Sequence, residues 1–344
     1  MNTTPSSTPH ISSTTTSDGI AAEGTSGHAN WPRSSQQADA TRPAGGADQR
    51  ALVLAGGGAA GSAWEIGLIA GLSDAGVDAT EADLIIGTSA GSTVAAQITS
   101  GSRPAELFAA ILAQAPQSRA GAVGPGRGRA PNWSGTNYME WSNGIIDSAK
   151  DAADMRRRMG AAALEMDVAP DSSARTQWRA TVGARLLSHD WPQRPVLITA
   201  VDAHTGEPVV FDRHSGIDLV DAVAASTSNG FGPFPPYRIG NNRYINGGYR
   251  RSENADLAAG YGRVLVLSPF GGRSRMPLDW GMDLVTQVDE LRAGGSRVET
   301  VFPDHRSGDV FDANALDPST RLQAARGGYD QGRALAGQLT EFWR

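Results

Sequence analysis

The pentapeptide Gly87-Thr88-Ser89-Ala90-Gly91 places a serine between two glycines, two residues from each. Asp83-Leu84-Ile85-Ile86 ahead of it reads as a buried strand, and Val94, Ala95 and Ile98 behind it as one face of a helix. Glycines at both ends of so short a link allow a sharp strand-to-helix turn that presents the serine hydroxyl at the helix N-terminus. The chemistry such a turn suits is nucleophilic acyl transfer, with Ser89 attacking a carbonyl carbon. The competing reading makes Ser89 a helix-capping hydroxyl.

Attack on a carbonyl leaves a negative oxygen that needs hydrogen-bond donors, and backbone N–H groups in a glycine run can approach it without side-chain clash. Gly56-Gly57-Gly58-Ala59-Ala60-Gly61 supplies such a run, and the Ala90 N–H just past the serine would complete an oxyanion hole with Gly56, Gly57 and Gly58. Gly56 to Gly61 also satisfies the Gly-x-Gly-x-x-Gly pattern of dinucleotide loops. That reading needs an acidic residue at the end of the second strand to hold a ribose, and the strand ends instead in Gly87-Thr88-Ser89. His189, His204, His214 and His305 all follow Ser89, so a serine–histidine–acid triad is a further alternative, although none of the four has a distinguishing context. His204 and His214 lie near Asp202 and Asp212 across an expected hairpin, where a polar strand face accounts for them without a metal. No metal and no cofactor is expected.

The elements that must position these groups alternate along the chain. Ala51 to Ala55 reads as a strand, and after the glycine run Ile66, Leu68, Ile69 and Leu72 mark a helix. Residues 117–143 are rich in Gly, Pro and Arg yet carry Trp133, Tyr138 and Trp141, which suits a mobile surface loop with apolar anchors. Ile145, Ala149, Ala152, Met159, Ala163 and Met166 share one helical face, with Arg156-Arg157-Arg158 on a solvated side. Val196 to Val201 and Pro208 to Asp212 read as strands joined around Thr205-Gly206, and Leu219 to Ala225 as a helix. Tyr244-Ile245 leads into Asn246-Gly247-Gly248, Val264 to Leu267 is a core strand, and Asp317-Pro318 opens the last helix. The alternation predicts an α/β layered fold around a central, mostly parallel sheet. Residues 1–48 carry almost no large apolar side chain and read as a disordered tail that includes His10 and His28, and residues 49–344 as the catalytic-type domain.

Composition narrows the function classes. The 344 residues contain no cysteine, which removes disulfides, thiolate nucleophiles and cysteine-ligated metals. A formal net charge of -6 argues against nucleic acid as a partner. No window reaches the roughly 20 consecutive apolar residues of a membrane span, and the N-terminus has no secretory pattern, so the expected location is cytoplasmic. Peripheral membrane contact through the aromatic segment near Trp133 and Trp141 is left open.

The glycine loop, the Gly-Thr-Ser-Ala-Gly elbow and the late Tyr-Ile-Asn-Gly-Gly segment together resemble the patatin-like phospholipase family, over about Ala51 to Pro269. Ile198 to Pro208, Leu219 to Ser226 and Asn254-Ala-Asp-Leu257 also resemble family members in order and spacing. The resemblance implies an α/β hydrolase of lipid acyl esters that uses a serine–aspartate dyad and no cofactor. By position, Ser89 is the nucleophile, Gly56, Gly57 and Gly58 form the oxyanion loop, and Gly61, Gly87, Gly91, Gly247 and Gly248 are motif glycines. The family's aspartate falls on Asn246, and an amide cannot take the serine proton. Two lesser departures accompany it: Ser226 to Pro236 is polar where the family has an alanine–aliphatic–proline run, and Ala60 replaces a basic residue often found in the glycine loop. On its own, Asn246-Gly247 would read as a tight hairpin turn. Beside the resemblance, four accounts of Asn246 stay open: natural loss of catalysis, an altered mechanism, an engineered inactivating substitution, or deamidation to aspartate. The expected function is lipid acyl hydrolysis on a lipid or other acyl ester, with a catalytically silent lipid-binding protein as the alternative.

Overall fold

Apolar runs buried on both sides form the centre of the molecule, seen here in a computed structural model that describes residues 45–114, 135–167, 173–312 and 314–344. Eight strands are described: β1 (Arg50–Leu54), β2 (Leu84–Gly87), β3 (Val196–Asp202), β4 (Pro208–Phe211), β5 (Tyr237–Ile239), β6 (Asn242–Asn246), β7 (Arg263–Leu267) and β8 (Arg297–Val301). Their order is β5-β6-β3-β2-β1-β7-β8, with β4 paired to β3. The pairs β3-β2, β2-β1, β1-β7 and β7-β8 are parallel, while β4, β5 and β6 are joined antiparallel. The expected mixed α/β fold with a mostly parallel central sheet is what the chain forms.

The helices described are α1 (Gly58–Asp74), α2 (Ala90–Ile98), α3 (Pro104–Ala113), α4 (Gly135–Ser148), α5 (Ala152–Met166), α6 (Ser173–Gly183), α7 (Leu219–Ser226), α8 (Leu284–Ala293) and α9 (Arg321–Trp343). Side chains alternate across the sheet as strand geometry requires. Leu52, Leu54, Ile85 and Leu265 join one core cluster with α1, α2, α7 and α9, whereas Ala51, Val53, Leu84 and Val264 join another beneath α8 and the turn Ala255–Ala258. Against the first face, α1 and α9 pack backbone to backbone. A Cβ on Gly67 would stand 2.1 Å from the Ala325 carbonyl, and one on Gly328 would stand 2.3 Å from that of Trp64.

Three expectations change. Residues 117–143 are not one loop: the part from Gly135 is the start of α4, held by Tyr138, Trp141 and Phe231 packing ring against ring, while Trp133 lies outside the described residues. The single helix expected across Ile145 to Met166 is two, because Asp151 caps a new helix by accepting the Asp154 N–H. Asn246-Gly247 is no hairpin turn; the β5–β6 turn is at Gly240-Asn241, and Asn246 ends β6. Residues 1–44 of the expected tail lie outside the described residues.

Candidate active site

Strand register brings the two key residues together. Along one edge of β3, β2 pairs with Val196 to Ile198 and ends with Gly87 opposite Ile198. Further along the same edge β6 runs the other way, ending with Asn246 opposite Ala200. The C-terminal ends of β2 and β6 therefore point at each other with one residue of β3, Thr199, between their partners. Ser89 follows the first end and Asn246 closes the second, although 157 positions separate them in sequence.

The turn after β2 has the backbone of a nucleophile elbow. Ser89 has φ 53 and ψ -119, a conformation that costs an L-residue roughly 1–3 kcal/mol and that the surroundings must hold. Its backbone N–H donates to Ser226 Oγ at 2.8 Å, and its carbonyl accepts from Ser92 Oγ at 2.6 Å. Gly91 allows the tightness of the turn, since a Cβ there would stand 2.1 Å from the Leu54 carbonyl oxygen. The glycine loop lies directly over the serine: a Cβ on Gly56 would be 3.3 Å from Ser89 Cβ. Among the described residues, none of the backbone N–H groups of Gly56, Gly57, Gly58 or Ala90 donates to a backbone oxygen.

Asn246 is buried, at 7% exposure, and its amide is fixed by three hydrogen bonds. Oδ1 accepts the Gly248 N–H at 2.8 Å; Nδ2 donates to Asn229 Oδ1 at 2.7 Å and to Ser89 Oγ at 2.9 Å. A backbone N–H can only donate, so the Gly248 contact settles which end of the amide is oxygen. The group facing Ser89 is consequently a donor. Ser89 Oγ accepts from it, which leaves the serine hydrogen to point elsewhere.

Below this pair lies a polar knot. Asn254, at φ 61 in the left-handed region, donates Nδ2 to Thr88 Oγ1 at 2.9 Å and to the Gly247 carbonyl at 3.1 Å, and Thr88 Oγ1 lies 3.1 Å from Thr199 Oγ1. One side chain thus ties together the elbow, β3 and the turn after Asn246. Next to it Glu253, 3% exposed, accepts from Ser268 Oγ at 2.9 Å; burial pushes its carboxyl up to about 7, with Ser268 opposing the shift and Asp283 adding to it.

Ser89, the glycine loop, Asn229, Asn246 and Glu253 line a cavity of about 580 Å³, within the range of small-molecule sites. Met139, Phe270, Met276, Phe311 and Leu316 give it apolar walls, and Arg273 and Arg275 are its cations. No histidine lines it among the described residues, so the triad alternative has no base there; His189 contacts the Gly183 carbonyl on the surface. Asp202 and Asp212 accept backbone N–H groups of His204 and His214, as a polar hairpin would. Sequence reasoning missed Ser226, Asn229, Glu253 and Asn254. The available signals were the family-like segments that hold Ser226 and Asn254, and the departure of Ser226 to Pro236, which holds Asn229, from the family pattern.

The sequence model of the family described as patatin-like phospholipase matches residues 52–259, which span Ser89, the glycine loop and Asn246. Among solved structures, VipD from Legionella pneumophila is similar at 13% identity, over 85% of this chain and 67% of that one, with a TM-score of 0.39. No curated protein matches. Among the described residues no helix is long and apolar enough to cross a membrane. With the family model covering more than half of its length, the chain belongs to the patatin-like phospholipase family, a family of lipid acyl hydrolases.

Proposed function

We propose that this chain is a lipid acyl hydrolase scaffold in which Ser89 occupies the nucleophile position, Gly56, Gly57, Gly58 and Ala90 supply the oxyanion donors, and Asn246 leaves acyl transfer without its base. The observation that carries the reading is the 2.9 Å hydrogen bond from Asn246 Nδ2 to Ser89 Oγ, donated rather than accepted. The strained elbow, the overlying glycine loop and the apolar cavity support the first part. In the full reaction Ser89 Oγ would bond to the ester carbonyl carbon while its proton passes to a carboxylate; the alcohol would leave with that proton, and water would then release the acyl group. An amide at 246 accepts no proton, so Ser89 stays a weakly nucleophilic alcohol.

Covalent labelling by a serine-directed phosphonate tests this, because labelling requires an activated hydroxyl. The native chain should label slowly at Ser89 and Asn246→Asp faster by on the order of a hundredfold or more, the usual contribution of a positioned base. Equal rates for the two would remove Asn246 as the limiting group.

A further inference from the structure

Replacing a carboxylate by an amide changes what the cavity attracts as well as what it can catalyse. Asn246 carries no charge, and both of its N–H bonds are directed at oxygens, one of them Ser89 Oγ. Ser89 makes no other side-chain hydrogen bond among the described residues, so its O–H hydrogen is available to an acceptor in the cavity. Beside it are the backbone N–H groups of Gly56, Gly57, Gly58 and Ala90, none given to a backbone oxygen. The groups named about Ser89 Oγ are donors, while two carboxyl groups, Glu253 and Asp312, also line the cavity. The charged residues along the wall are Arg273 and Arg275 against Glu253, which is buried on Ser268, and the exposed Asp312. Both arginines are held in place, Arg273 by the Phe270 and Phe311 carbonyls and Arg275 by Ser142 and Asn143.

A cluster of donors beside two fixed arginines, opening into an apolar cavity, matches an anionic head on a hydrocarbon chain. We propose that the cavity over Ser89 binds a long-chain carboxylate, with Ser89 Oγ–H and the glycine-loop N–H groups holding the carboxylate and the apolar wall holding the chain. The amide at 246 is what permits this. A carboxylate in its place, hydrogen-bonded to Ser89, would take the serine hydrogen and repel a second negative charge a few ångströms away. The inference rests on the placing of the acyl site at Ser89 under Proposed function, and it turns that site from a place of turnover into a receptor for a free fatty acid anion.

The test is equilibrium binding at pH 6 of three ligands of equal chain length to the native protein: laurate, lauramide and dodecyltrimethylammonium. Laurate should bind at least tenfold more tightly than lauramide, and the cation most weakly. In Asn246→Asp the preference for laurate over lauramide should disappear while lauramide affinity changes less than threefold. Equal affinities of the native protein for laurate and lauramide would overturn the carboxylate inference and leave the acyl cavity standing. Binding of none of the three would overturn both the inference and the placing of the acyl site. Because the native protein alone decides between laurate and lauramide, the test holds even if the variant does not fold.

Discussion

At the scale of single residues, burial raises two carboxyls. Burial holds Glu253 up to about 7, and it holds Glu65 on α1 well above the usual range, with the Ala55 backbone offsetting part of the shift. The folded chain keeps the Glu253 proton to about pH 7, whereas the unfolded chain releases it near 4.5. Unfolding thus releases a proton between those values, and stability falls as pH rises through that window, by roughly 3 kcal/mol for Glu253 alone. Glu253→Gln removes the ionisable group and keeps an acceptor for Ser268. Its denaturant midpoint should exceed that of the native protein at pH 8 and match it at pH 4.5. A shift of equal size at both values would contradict the raised carboxyl. Ser89 was legible in the sequence because glycine spacing reports local backbone geometry. Asn254 and Glu253 were not, since their roles depend on contacts with Thr88 and Ser268 that no local pattern encodes.

At the scale of elements, the site depends on how α1 is held. That helix begins at the glycine loop, and its neighbour is α9, more than 240 residues later in the chain. Gly67 and Gly71 on α1 meet Ala325 and Tyr329, while Gly328 and Gly332 on α9 meet Trp64 and Leu68, all through backbone atoms. Helix propensity alone predicts that Gly328→Ala would stabilise by about 1 kcal/mol. The close packing predicts the opposite, a loss of roughly 1–3 kcal/mol, because the new methyl would stand 2.3 Å from the Trp64 carbonyl. Chemical denaturation gives the sign, and a gain in stability would show that α1 and α9 are less tightly joined. The element-level reading of the sequence failed where two signals overlapped. Tyr138 and Trp141 sit in a stretch whose neighbours are Gly- and Pro-rich, and that composition concealed the start of α4. A continuous apolar face ran through Ala149 and Ala152 and hid the cap at Asp151 that separates α4 from α5.

At the scale of the whole molecule, most strands legible in sequence were those buried on both faces. β1, β2 and β7 are near-continuous apolar runs, as central parallel strands are. Of the edge strands, β4 was read and β5 and β8 were missed: β5 is Tyr-Arg-Ile and β8 is Arg-Val-Glu-Thr-Val, each carrying polar side chains that break up the apolar run. Family matching ends at residue 259, yet the core that supports the glycine loop extends to Ala336, Leu339 and Trp343 of α9. The same organisation sets the two strand ends against each other and places the Asn246 amide against Ser89 Oγ. The most direct test is turnover of a short activated ester by the native chain, by Ser89→Ala and by Asn246→Asp. The account predicts that the native chain and Ser89→Ala are alike, close to background, and that Asn246→Asp is faster by on the order of a hundredfold or more. A native chain that hydrolyses the ester well while Ser89→Ala does not would contradict it, and would mean either that Ser89 gives its proton to a group other than residue 246 or that Asn246 has been deamidated to aspartate.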